Sequence, residues 1–355
     1  MTNKYNNVYL NYVSTVVGPY EHDGPLSRRF DRFYEDMYMN ESTFERAEAH
    51  LMRESIDILL DKIGMKSKID LFIAGDLENQ ITASCYSAIH LNVPFLGVYS
   101  ACASNVEGLI IASNLINAKQ IKNSIVSVSS HNMVSERQFR NPTEYGAPKP
   151  LSSTFTATGG ASAFLSNNKG EIKVESGTIG KVCDMDQTDP NNMGACMAVA
   201  AANTIYQHLK DLKREVNYYD LIVTGDLGIY GKEILIEYMQ KEYQIYLSRN
   251  YQDCGVMLYD RSSQKEVAAG GSGPVCSALV VYGDIVPKLR NKKLKRVLYV
   301  ATGALFSPIS VFQKENILSI AHAISLEVVE WFIFIPFYLL ELFAWLVKLF
   351  LIILN

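Results

Sequence analysis

The sequence has no CxxC pair, no cysteine–histidine spacing suited to a metal, no basic block and no apolar run near its start. Each absence removes a class of function. Cys85, Cys102, Cys183, Cys196, Cys254 and Cys276 lack paired spacing, so they give no zinc framework and fit a reducing compartment. A net charge of −4 without a Lys/Arg block argues against a nucleic-acid partner. The opening stretch MTNKYNNVYLNY lacks an apolar h-region, so no secretory signal is expected. What is present suits a globular chain: 355 residues, 48% hydrophobic and 20% charged, make two domains or one large α/β body.

The most informative stretch is PFLGVYSACASNVEGLIIASNLI, Pro94 to Ile116. It reads as a buried strand over Phe95 to Tyr99, a corner of small residues, and a helix. Cys102 lies where the helix begins. The first turn of a helix has unpaired N–H groups and partial positive charge. A thiol there is a candidate low-pKa nucleophile, or the floor of an anion site. The plainer reading, a small buried apolar residue, stays open.

Residues 1–42 carry no clear period and read as a packed, loop-rich arm, too aromatic for disorder. Thr43 is placed to cap a helix in which Phe44, Ala47, Leu51, Met52, Ile56 and Leu59 recur at helical spacing. His50 falls on its polar face, which predicts a solvated histidine. A repeat then emerges: D-L-x-x-x-G-D-L occurs at Asp70 and again at Asp220, each copy preceded by a helical stretch. The helix opening at Cys102 leads to SIVSVSS (124–130). GGSGPVCSALVVYGDIVPKL leads likewise to RVLYVATGAL (296–305). The chain therefore divides into two related αβ halves, 1–185 and 186–326, with largely parallel sheets.

A polar, Pro-bearing loop, 131–153, follows the last parallel strand of the first half. Ligands collect at such strand ends. The loop offers His131, Asn132, Arg137, Arg140, Tyr145 and Lys149, donors suited to an anion, although a merely solvated loop has the same composition. TATGGASAFLSN (156–167) and EIKVESGTIG (171–180) read as a hairpin pair. Gly159 and Gly160 mark either a close backbone approach or a bulge.

These features together resemble the thiolase and ketoacyl-synthase superfamily. The resemblance implies a thiolase-like, duplicated αβαβα layered sandwich, with Cys102 in the place of the acyl-accepting nucleophile. A narrower resemblance is to the stage V sporulation protein AD family of endospore-forming bacteria. It rests on DGPLSRRFDRFYEDM (23–37), PFLGVYSACAS (94–104), SSHNMVSERQFRNPTEYG (129–146), LIVTGDLG (221–228) and LYVATGALFSP (298–308), within roughly residues 10–326. That family is implicated in moving dipicolinic acid, alone or as its calcium chelate, into the forespore.

The enzymes of the superfamily bring a base and oxyanion donors from second-half turns. Here those turns read Gly225-Asp226-Leu227, Gly270-Gly271-Ser272-Gly273 and Thr302-Gly303-Ala304, and His208 and His322 lie outside them. His131 is left as a base from the first half. The resemblance thus implies a binder of dipicolinic acid, with a Cys-dependent acyltransferase or condensing enzyme as the alternative. The expected site is Cys102, Ser104, His131 and Asn132, with a cation from Arg137, Arg140 or Lys149 and Tyr145 stacking on the ring. No cofactor is expected, and calcium enters only as the ligand's chelate. Expected partners are membrane proteins of the same sporulation operon and a second copy of the chain. The expected location is the cytoplasmic face of the forespore inner membrane.

Residues 327–355 lie beyond the resemblance. Trp331 to Leu354 is long and apolar enough to span a bilayer as a helix, interrupted by Glu341 and Lys348. A spanning helix, an interfacial helix and a frameshift product are the three readings of this tail. Resequencing the DNA distinguishes the last.

Overall fold

The computed structural model describes residues 1–64, 68–247 and 249–329. The hydrophobic tail lies outside the described residues from 330 onward. Among the described residues no helix is long and apolar enough to cross a membrane.

The sequence repeat is a repeat of topology. In the first half, Phe72–Gly75 lies between Phe95–Gly97 and Asn123–Ser130 and runs parallel to both. In the second, Leu221–Thr224 lies between Tyr251–Asp253 and Arg296–Leu305, again parallel to both. Gly159–Ser166 and Leu318–Val328 then return antiparallel to the last of these. Tyr9–Val17 and Ile172–Thr178 follow as the innermost strands of the two halves, also antiparallel, and the Tyr9–Lys173 pairing joins the halves into one continuous strand path. The sheets are therefore mixed rather than largely parallel: the returning strand of each half follows no crossover helix of its own on the sheet. Gly159–Ser166 and Ile172–Thr178 are both strands but lie on either side of Tyr9–Val17 and do not pair with each other, so they form no hairpin.

Helices cover every face, giving five layers. Phe44–Ile63 lays Met52, Ile56 and Leu59 on the outer face of the first sheet. Met193–Leu212 and Gly228–Tyr243 cover the outer face of the second. Ser104–Asn117 and Pro274–Val280 are buried between the sheets, where Val106, Leu109, Ile110, Val275 and Leu279 share one core. Each such fully buried side chain contributes about 1.5–3 kcal/mol. The Thr43 cap forms as its position predicts: the Arg46 backbone N–H donates to Thr43 Oγ1 at 3.3 Å. His50 is half-buried rather than solvated, and bonds Tyr34 Oη at 2.8 Å.

Covered faces explain the small residues of GGASAFLS. Every residue of Gly159–Ser166 is buried. A Cβ on Gly160 would stand 2.2 Å from the Leu51 carbonyl oxygen, so this glycine serves close approach of helix to sheet.

Three further sequence readings change. The arm 1–42 contains Tyr9–Val17, the innermost strand of the first half. Its run of Tyr, Val and Thr is a β signal that the surrounding loops obscure. Phe95–Gly97 is a sheet edge, with Leu96 at 44% exposure, and is not buried. The loop after residue 131 opens with a helix, Asn132–Phe139, which stops ahead of Pro142.

Candidate functional site

The chain turns sharply at Ser100-Ala101-Cys102. Ala101 adopts φ +48°, a region costly for a residue with a Cβ. The corner is closed by its own bonds: Ala103 N–H donates to Ser100 O at 3.0 Å and Ser104 N–H to Ala101 O at 3.2 Å. Ser104 Oγ accepts from Ser100 N–H and donates to Ala101 O at 2.8 Å. Ser104 is thus spent on the corner and does not line the chamber above it. The helix proper begins at Ser104, after Cys102.

Cys102 lines a chamber of about 30 Å³ with Ser135, Phe139, Arg140, Thr156 and Gly273 among its walls. That volume holds about one water molecule. Behind Cys102, the three second-half turns converge. Thr302 Oγ1 donates to Asp226 Oδ1 at 2.6 Å, and Gly273 N–H donates to Asp226 Oδ2 at 3.1 Å. The Cys102 thiol faces the same carboxylate.

This arrangement overturns the low-pKa expectation. Burial, then the charge and hydrogen bond of Asp226, push the Cys102 thiol well above its ordinary range. Gly273 N–H and Arg140 oppose the shift but do not win. Burial likewise raises Asp226 to about 7, against the pull of Thr302 and Cys102. A carboxylate beside the thiol, with first claim on the Gly273 N–H, gives neither a thiolate nor a free oxyanion donor.

His131 is not a base for Cys102. It is fully buried, its ring stacks on Phe44 at 5.3 Å, and Nε2–H donates to the Met37 carbonyl oxygen at 2.8 Å. Burial lowers its pKa to about 4, so it is neutral at pH 7. His208 and His322 are equally remote, bonded to Thr178 and Tyr219 and to Gly180 N–H.

The expected cations separate cleanly. Arg137 is exposed and pairs with Glu45. Tyr145 stands 78% exposed and lines neither the Cys102 chamber nor the cleft that Arg140 and Lys149 share. Arg140 is different: its side chain is 7% exposed and forks onto buried Glu136, Nε to Oε2 at 3.0 Å and Nη2 to Oε1 at 2.5 Å. Lys149 Nζ meets Glu136 Oε2 at 3.1 Å. Arg140 Nη1 is buried and unpartnered, as is Ser135 Oγ in the same chamber. Arg140 also lines a second cleft of about 630 Å³, together with Asn132, Lys149, Tyr20 and Phe155. Asn132 is held there by Nδ2–H donating to Thr156 O at 3.1 Å.

Structure therefore brings Cys102 and Arg140 together, and Asn132, Arg140 and Lys149 together, and disperses Ser104, His131, Arg137 and Tyr145. Asp226 and Ser135 were missed as site residues. The repeat offered a signal for Asp226, since its counterpart Asp76 is also buried and accepts from Ser84 N–H at 2.8 Å. Among the described residues no His, Cys, Asp and Glu cluster could hold a metal ion.

Comparison with known proteins agrees with this architecture. OleA from Xanthomonas campestris, solved with cerulenin bound, superposes with a TM-score of 0.58 at 13% identity, covering 91% of this chain and 100% of that one. 3-Oxoacyl-[acyl-carrier-protein] synthase III from Aquifex aeolicus VF5 gives 0.52 at 12%, covering 92% and 100%. At such identity these likenesses establish the fold alone. The Stage V sporulation protein AD of Bacillus subtilis (strain 168) is 44% identical over 321 residues, 90% of this chain and 94% of that protein. The model of the Stage V sporulation protein AD family matches residues 2–327. The chain belongs to the Stage V sporulation protein AD family, built on a thiolase-like fold.

Proposed function

We propose that this sporulation-family protein binds dipicolinic acid, free or as its calcium chelate, and supports its uptake into the forespore within a membrane channel complex. Arg140 carries the reading. Arg140 lines both the Cys102 chamber and the Asn132–Lys149 cleft, and its Nη1 is buried without a partner. An unsatisfied buried guanidinium N–H is costly and asks for an acceptor. A planar dicarboxylate supplies one, and a guanidinium is the group that best matches its geometry. The chamber is too small for the ligand's ring. The cleft, at about 630 Å³, has the size of a small-molecule site, and Tyr20 and Phe155 offer it aromatic walls in place of Tyr145.

Calorimetry tests this directly. Dipicolinate, with and without calcium, is expected to bind the wild type and the Cys102→Ala variant alike. Absence of binding by both ligands overturns the reading. Acyl transfer, the alternative, lacks an activated thiol and a base; one missing group of this kind costs roughly 10²–10³-fold. Covalent acylation of Cys102 by an acyl-CoA, with turnover, would establish it instead.

The location follows the same reading: the cytoplasmic face of the forespore inner membrane, beside membrane proteins of its operon. A homodimer belongs to it as well. The Phe95–Gly97 edge is unpaired on one side, and Leu96, Tyr86 and Ile89 are exposed beside it. Edge-to-edge pairing of two copies covers them. Sedimentation is expected to give a dimer for the wild type and a monomer for Leu96→Glu. A monomeric wild type at all concentrations rules the dimer out.

A further inference from the structure

The last strand, Leu318–Val328, carries the chain away from the candidate site and out at the opposite end of the fold. Val328 N–H donates to the Lys295 carbonyl oxygen at 2.9 Å, and Val329 N–H to the Glu171 carbonyl oxygen at 2.8 Å. This is the end at which the parallel strands begin, beside Leu221 and Arg296. Cys102 lies at their far ends, about 30 Å away along the ten residues of Arg296–Leu305. Three segments far apart in the sequence meet where the chain leaves: 117–123, 167–173 and 288–296. Asn167 N–H donates to the Lys122 carbonyl oxygen at 3.0 Å, and Arg290 Nε approaches Glu171 Oε2 at 3.9 Å. Ile121 and Leu294 pack against the same central core. The three segments hold ten Lys and Arg, against which stand Glu171 and the neighbouring Asp70, Asp220 and Glu327. Six positive charges are thus in excess here, on a chain whose net charge is −4. Lys288 and Arg290 lie in the last turn of a helix, where its dipole favours cations. Lys122, Lys292 and Lys293 lie outside any helix and are exposed. Among these segments a groove of about 380 Å³ is lined by Tyr12, Lys169, Glu171 and Arg290.

We propose that this basic end, with Lys122, Lys292 and Lys293, is the surface that lies on an anionic phospholipid bilayer. The inference rests on the membrane location proposed above and names the face turned to the lipid. Two independent observations meet in it. The first is charge: anionic headgroups attract clustered Lys and Arg that stand beside an apolar segment. The second is where the chain goes. Its remaining 26 residues, EWFIFIPFYLLELFAWLVKLFLIILN, are apolar apart from a few positions and continue from Val329, at the centre of the cations. An apolar segment and a basic patch at one end of a body satisfy the hydrocarbon and the headgroups together. The Cys102 chamber and the Arg140 cleft then open away from the bilayer, so the ligand reaches them from the aqueous side.

The test uses the full chain with vesicles of phosphatidylcholine alone or mixed with phosphatidylglycerol. On the mixed vesicles, amine labelling of Lys122, Lys292 and Lys293 is expected to fall several-fold. Labelling of Lys181 and Lys314, exposed at the opposite end, should not change. The ratio of partition onto the two kinds of vesicle cancels the contribution of the apolar segment. In Lys122→Gln/Lys292→Gln/Lys293→Gln that ratio is expected to drop roughly a hundredfold at low salt. Arg46→Gln/Lys181→Gln/Lys314→Gln changes the net charge equally but should keep it. Bound protein with unprotected Lys122, Lys292 and Lys293 overturns this surface while the membrane location stands, and so does an equal drop in the two triple variants. Absence of binding to either kind of vesicle overturns the surface and a lipid-bound location together.

Discussion

Arg140→Ala is expected to weaken dipicolinate binding roughly a hundredfold, because it removes the one cation shared by the chamber and the cleft. It should also destabilise the fold by about 2–3 kcal/mol. Glu136 is fully buried and loses both arms of the fork, keeping only Lys149. The two effects separate in the double variant Arg140→Ala/Glu136→Gln. Stability should largely return there, since no buried charge is stranded, while binding should not. Arg140→Lys keeps the charge but loses the planar fork, so it is expected to fall between. Calorimetry and thermal melts read both quantities. Affinity within threefold of wild type in Arg140→Ala would place the ligand elsewhere.

Gly303→Ala is expected to produce the largest loss of stability near the site. A Cβ on Gly303 would stand 2.2 Å from the Ser100 carbonyl oxygen and 3.2 Å from the Ala103 nitrogen. Neither atom is free to move. They bond each other at 3.0 Å and close the corner that holds Ala101 at positive φ. Overpacking against backbone of this kind costs about 3 kcal/mol. A fall in Tm of about 4 °C follows for a chain of this size. A Tm within 2 °C of wild type would show that the corner yields.

The same physics bears on the acyl-transfer alternative. The second half delivers three turns to the nucleophile position, as an acyl-transfer site needs, but they carry Asp226, Gly273 and Thr302. Burial, with the carboxylate of Asp226, raises the pKa of the thiol, and that carboxylate accepts from the Gly273 amide. What remains is a chamber whose unsatisfied groups, Arg140 Nη1 and Ser135 Oγ, are hydrogen-bond donors. These are the groups on which the proposed anion site rests.

The sequence by itself determined the duplication, because the repeated D-L-x-x-x-G-D-L and the helix–strand spacing that follows are local patterns written twice. It also determined the corner at Cys102 and the cap at Thr43, where backbone permissiveness and side-chain oxygen placement act over a few residues. Tyr9–Val17 was hidden only because its short β signal lies among loops. The tertiary structure alone decided the state of the site. Whether Cys102 ionises depends on Asp226, which lies 124 positions later in the chain. Which of three basic residues faces inward depends on a helix, Asn132–Phe139, that turns Arg140 toward the core and Arg137 toward solvent. His131 is silenced by Phe44 and Met37, which pack on it from a different part of the chain. Solvation and charge pairing are properties of what surrounds a group, and in a layered fold those surroundings come from distant segments.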